Sequence, residues 1–149
     1  MANPAPALVP AALAAAPPPG ERTAVAMVPP LGSSEVEVLI AAFVSSYEKG
    51  RLDTFAKLFD DDAQTNQNRG RAAIASEYDQ LFRSTVWRRM AISQLGWKPV
   101  GDHTEAKGEF VVKTGWRDGR EVEQRMAVDM ELVRQGGRAV IAKLSLQPR

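Results

Sequence analysis

The 149-residue sequence predicts an α+β fold: three N-terminal helices followed by four consecutive antiparallel strands, with the sheet folded over the long first helix. Three observations carry this expectation. Apolar residues recur every three or four positions from Val36 to Phe82 and every second position beyond Arg83, so helix gives way to strand partway along the chain. Asp118-Gly119 and Gly136-Gly137 supply turn signals between the later apolar runs. All ten aromatic residues follow Ser34, so whatever core the chain builds is built after that point.

The first element is expected just past Ser33 or Ser34, either of which can cap a helix, with Glu35 and Glu37 in the first turn where the dipole favours acids. Val36, Leu39, Ile40, Phe43, Val44 and Tyr47 form its apolar stripe, and Gly50 stops it. Leu52, Phe55, Ala56, Leu58 and Phe59 mark a shorter second helix, with Asp60-Asp61-Asp62 as a charge cluster at its end. A third helix begins near Gly70 and carries Ala73, Ile74, Tyr78, Leu81 and Phe82. Strands follow around Met90 to Gln94, from Ala106 to Thr114, and from Glu121 to Leu132. In the last of these Val122, Gln124, Met126, Val128, Met130 and Leu132 share a face predicted to be buried, while Glu121, Glu123, Arg125, Asp129 and Glu131 share a polar one. Ala139 to Leu146 completes the sheet.

Residues 1–34 contain ten Ala and eight Pro and only two charges, Glu21 and Arg22, and read as a disordered leader or linker. Residues 35–149 are then one domain. No Lys or Arg precedes Gly20, so the chain lacks the basic n-region of a signal peptide. The expected address is cytoplasmic as written, or the cell envelope if the Ala/Pro segment continues from an upstream anchor. No membrane insertion is expected, because no apolar run reaches the length of a span. Apart from Glu21 and Arg22 the chain holds 18 Lys and Arg against 17 Asp and Glu, too even a balance for a dedicated nucleic-acid binder. With no Cys and a single His, thiolate and multi-His metal sites are excluded, and no cofactor is expected.

Phe43-Val44-Ser45-Ser46-Tyr47-Glu48-Lys49-Gly50-Arg51-Leu52-Asp53, running on to Leu58-Phe59-Asp60-Asp61-Asp62-Ala63, resembles the nuclear transport factor two-like superfamily. That superfamily includes ketosteroid isomerases and SnoaL-like cyclases. The likeness lies in the helix, the Gly-x-Leu-Asp elbow and the approach to a first short strand. Gly70-Arg71-Ala72-Ala73-Ile74 is similar to the start of the family's third helix. The resemblance covers residues 35 to 147 and implies a cystatin-like cone, three N-terminal helices packed in the concave face of a curved, mainly antiparallel sheet of four to six strands, commonly paired into homodimers through the sheet. It also implies where isomerase chemistry would sit. Phe43 stands at the oxyanion-hole Tyr, Gln67 at the general-base Asp, and Val128 on the inward face where a protonated Asp would point; only Tyr78 matches a supporting Tyr. A Phe donates no hydrogen bond and a Gln takes up no proton, so that mechanism is not expected.

The remaining candidates have simpler readings. His103 is expected as a solvated turn residue, and the Asp60 cluster lacks the spacing of a calcium loop. The arginines of Trp87-Arg88-Arg89, Arg69-Gly70-Arg71 and Trp116-Arg117 are expected to pair with Glu121, Glu123 and Glu131 across the sheet. Phe43, Tyr47, Asn66, Gln67, Tyr78, Gln124 and Met126 are the candidate pocket-lining set, with Gln124 singled out as a polar residue on an apolar face. The expected function is a non-catalytic binding or dimerisation module with a small apolar ligand, accessory to a larger protein or complex. The alternative is a lyase, isomerase or hydratase using Tyr47 or Tyr78 as acid with Gln67 orienting.

Overall fold

Eight elements follow one another in the structure, a computed structural model that describes residues 31–149. The leader expected over 1–34 lies, as far as Pro30, outside the described residues. The elements are α1 (Ser33–Lys49), α2 (Leu52–Lys57), β1 (Phe59–Gln64), α3 (Arg71–Ser84), β2 (Thr85–Val100), β3 (His103–Trp116), β4 (Glu121–Gln135) and β5 (Arg138–Pro148).

The expected cap on α1 shifts by one residue. Gly32 occupies the cap, its N–H donates to Glu35 Oε1 at 2.9 Å, and Ser33 and Ser34 fall inside the first turn. The acid that the sequence placed near the helix dipole thus also satisfies an orphan amide. α1 ends at Gly50, in the left-handed region at φ 65°, with the Gly50 and Arg51 amides donating to the carbonyls of Tyr47 and Ser46. Its buried face is Val36, Leu39, Ile40, Phe43 and Tyr47, the predicted stripe.

The second helix is shorter than its apolar pattern suggested. It stops at Lys57, and Phe59 to Gln64 extend as β1, so Asp60, Asp61 and Asp62 lie in a strand and do not end a helix. The reason is tertiary: the Leu58 carbonyl accepts from Ile141 N–H at 2.7 Å and Phe59 pairs in register with Ile141, which draws this segment into the sheet. Asp61 there meets Arg71 at 2.8 Å.

The sheet has five strands in the order β1-β5-β4-β3-β2, parallel between β1 and β5 and antiparallel elsewhere. Bulges interrupt β2 at Thr85 to Trp87 and at Ile92 to Gln94, and β4–β5 near Leu132. Such bulges add bend and twist, and here they curl the sheet around the helices. The second bulge depends on Gly108, where a Cβ would lie 2.0 Å from the Gln94 carbonyl oxygen. Val128, Met130 and Leu132 are buried on β4 and Asp129 is exposed, as the alternation predicted. The predicted buried face holds only over this half of the strand: Val122 and Met126 are half-buried and Gln124 is exposed.

Candidate functional site

The concave side of the sheet is filled from three helices at once. Phe43 from α1 packs against Phe55 from α2 at a ring separation of 5.3 Å and against Phe110 from β3 at 6.3 Å. Phe55 in turn meets Tyr78 from α3 at 4.5 Å and Phe59 at 5.3 Å. Tyr47 stands edge-on to Tyr78 at 6.5 Å and to Phe82 at 6.0 Å. Met130, Leu132, Ile141 and Leu144 close the floor. The aromatic spacing in the sequence therefore produces one contiguous cluster, because the helical stripes of α1, α2 and α3 all face the same strip of sheet.

Burial sets the chemistry of the two phenols. It pushes the Tyr47 hydroxyl up to about 12, opposed in part by the nearby Arg88 charge. Tyr78 is raised further by burial, then by the charge of Glu77 and by Tyr47. Both stay protonated across the neutral range, able to donate a hydrogen bond and unable to act as a base.

The seven candidate residues separate into three groups. Phe43, Tyr47 and Tyr78 lie together in the aromatic cluster. Met126 is half-buried and pairs in register with Phe110, whereas Gln124, opposite Val112, is exposed; it is not the buried polar group the alternation implied. The β5 pairing of β4 begins only at Met126, opposite Pro148, so Gln124 has a paired strand on the β3 side alone. Asn66 and Gln67 are exposed in the loop after β1. The Asn66 amide is engaged at both ends by the Leu146 backbone, accepting its N–H at 2.8 Å and donating to its carbonyl at 3.1 Å. The same loop is fastened by Glu77 Oε1, which accepts from Asn68 Nδ2 at 2.8 Å and from Thr65 Oγ1 at 3.2 Å.

At the other positions singled out by the isomerase resemblance, Asp129 faces outward 3.9 Å from Lys107 and Val128 faces inward. His103 opens β3, half-buried and 3.3 Å from Asp102, and is not a fully solvated turn residue. Among the described residues no three His, Cys, Asp or Glu are placed to hold a metal ion. Nor is any helix there long and apolar enough to cross a membrane.

Two clefts flank α1, and neither draws on the seven candidates. One, of about 400 Å³, lies between Val38, Leu39 and Ala42 on the helix and Leu58 and Ala139 across from it. The other, of about 390 Å³, lies between Ile40 and Ala41 and the stretch of β2 from Ile92 to Trp97.

The expected pairing of arginines with Glu121, Glu123 and Glu131 is not what forms. Glu123 sits 3.7 Å from Lys113, Arg120 binds Asp118 at 2.8 Å, and Arg117 donates to the Arg83 carbonyl. Arg88 turns inward. Its Nε donates to the Tyr47 carbonyl at 2.9 Å, its other nitrogens reach Thr85 Oγ1 and the Glu48 carbonyl, and its guanidinium lies 4.9 Å over the Phe82 ring. Glu48 answers by accepting the Met90 N–H at 2.8 Å. Parity was the available signal, since Arg88 shares the face of Met90. A second unforeseen tie is Arg134 to Glu35, a two-pronged contact at 2.6 and 2.9 Å joining α1 to β4 and holding the Glu35 carboxyl below its usual range.

No family model matches the sequence, and no curated protein does. Solved structures do match. A candidate dehydratase of the NTF2-like family from Streptomyces avermitilis aligns at 14% identity and TM-score 0.69, over 78% of this chain and 95% of that one. A candidate calcium/calmodulin dependent protein kinase II association domain from Xanthomonas campestris aligns at 12% and 0.69, over 80% and 89%. A Caulobacter vibrioides protein with a cystatin-like fold aligns at 15% and 0.69, over 79% and 89%. What the chain shares with these is the fold: the NTF2-like, cystatin-like cone. The scaffold carries both enzymes and association domains by name, so function rests on the site.

Proposed function

We propose that the chain works as a non-catalytic binding and dimerisation module on the NTF2-like cone, accessory to a larger protein or complex. The observation that carries this reading is the packed interior: Phe43, Phe55, Phe110 and Tyr78 are buried and stack ring against ring between helices and sheet. The module takes in α1 from its Gly32 cap onward, and the Ala/Pro-rich residues before it are the leader or linker that tethers it.

The outer face of the sheet is the proposed pairing surface. It carries alternating charge, with Arg125 bound to Glu109 at 2.9 Å, Lys113 beside Glu123 and Lys107 beside Asp129. Val111 and Ala127 lie half-buried between them. A balanced charge lattice around a small apolar strip is self-complementary across a two-fold axis. The full chain should therefore elute at dimer mass at micromolar concentration in light-scattering chromatography, and Ala127→Arg should bring it to monomer mass with its circular dichroism unchanged. A monomeric wild-type chain under those conditions would sink the dimer.

The rival reading, a lyase, isomerase or hydratase acting on a small apolar ligand, is favoured by Tyr47 and Tyr78, two neutral buried phenols at one cluster. It predicts a planar apolar compound that raises Tm in a thermal-shift screen and loses that effect in Tyr78→Phe. A screen in which every stabilising compound acts equally on the Tyr78→Phe variant counts against it.

A further inference from the structure

Along its outward row β4 carries Glu121, Glu123, Arg125, Ala127, Asp129 and Glu131, so one cation and one small side chain interrupt four acids. Arg125 does not stand free on that row. It donates to Glu109 Oε1 at 2.9 Å, and Arg149 reaches the other oxygen of the same carboxylate at 3.1 Å. The two guanidiniums roof Glu109, whose side chain is 17% exposed, while they stay 55% and 56% exposed themselves. The surface presented at this point is therefore guanidinium, held in place by one carboxylate and with donors to spare.

Further along the same row the face opens into a depression of about 300 Å³, with Gly108 and Ala127 among the residues that line it and Lys107, Asp129, Ser145 and Gln147 around them. The register explains it. Ala127 lies between Glu109 and Gln147, and Asp129 lies between Lys107 and Ser145, so the lining comes from two successive rungs of β3, β4 and β5. A carboxylate, a hydroxyl and a side-chain amide carbonyl are the acceptors, which is the chemistry that receives a guanidinium. Asp129 has capacity for it: the carboxylate is 53% exposed, and its ion-pair partner Lys107 stands 3.9 Å away. Arg125 of the same chain is four residues away along the strand, about 13 Å, and is turned to Glu109. It does not fill its own depression.

We propose that this depression is the socket for Arg125 of a second copy, with the two-fold axis of the pair passing beside Ala127. An antiparallel crossing of the two β4 strands about that point sets residue 125 of each copy opposite residue 129 of the other, because both lie two positions from Ala127. Each Arg125 then spans Glu109 of its own chain and the partner's Asp129, and the contact occurs twice, as an isologous interface requires. Ala127 faces its own copy with little bulk to hold the two sheets apart. The inference rests on the sheet-face pairing proposed above and assigns the residues that make that pairing specific.

Charge reversal on the full chain tests this. Arg125→Asp alone and Asp129→Arg alone each set like charges against one another at both contacts, and each variant is expected at monomer mass where wild type is a dimer. Mixed in equal amounts, the two variants oppose Asp and Arg at both contacts, and dimer mass is expected to return as a one-to-one pair. A dimeric wild type whose variants stay monomeric on mixing overturns the socket alone; a monomeric wild type overturns the pairing surface and the socket with it. The milder substitutions give a second reading that survives misfolding of the reversals. Arg125→Gln and Asp129→Asn should each raise the dimer dissociation constant about tenfold or more, and the double variant should lose little beyond either one, since all three break one shared contact. Unchanged dissociation constants, or losses that add in full, overturn the contact.

Discussion

Tyr47 and Tyr78 hold their protons because folding takes the phenols out of water, and that has a measurable sign. A group whose pKa is raised on folding contributes stability below its unfolded pKa, near 10, and loses it as pH climbs through the folded value. For Tyr47 that window runs from about pH 10 to 12. The loss is up to about 3 kcal/mol for a two-unit shift. Urea midpoints at pH 8 and pH 11 should therefore fall further apart in wild type than in Tyr47→Phe; equal falls in the two proteins would mean that the phenol is not the titrating group. Glu35 behaves in the opposite sense. Its carboxyl is held low by Arg134, and then by the Gly32 amide, so its contribution is present above the unfolded carboxylate range and fades as pH falls through the folded value.

At the scale of elements, α1 is held to the sheet near both ends by charged side chains as well as by its apolar face. Arg134 grips Glu35 near its start, while at its end Arg88 of β2 donates to the Tyr47 carbonyl and Glu48 accepts the Met90 N–H. The Arg88 contact demands Gly50 twice over, because the left-handed φ favours glycine and a Cβ there would lie 2.6 Å from the Arg88 guanidinium. Arg88→Met keeps the stem packed over Phe82 and removes the donors to the last carbonyls of α1. The expected cost is about 2 kcal/mol, read as a lower urea midpoint at unchanged slope. A loss within error of zero would show that water satisfies those carbonyls equally well. Periodicity recovered α1 and α3 almost whole, because a helix is a local object whose amphipathic stripe is written in consecutive residues. It misplaced Asp60 to Asp62, because β1 exists only where Phe59 finds Ile141, 82 positions away.

Across the whole molecule, the layering of three helices against a curled sheet follows from the change of apolar period near Arg83 and from the hairpin turns, which is why the fold could be read before any coordinates. The inward aspect of Val128 and the outward aspect of Asp129 were equally legible, since a strand alternates strictly. Whether Gln124 was buried was not legible, because alternation says which face a side chain takes and nothing about what packs over that face. Arg88 departs from expectation for a related reason: its charge suggested a glutamate partner across the sheet, but its partners are carbonyls on a helix about forty residues earlier. Residue types and spacing thus settled the architecture, a matter of local chemistry. Which aromatics meet in the core and where each charge finds its partner depended on contacts between distant segments, and those exist only once the chain has closed on itself.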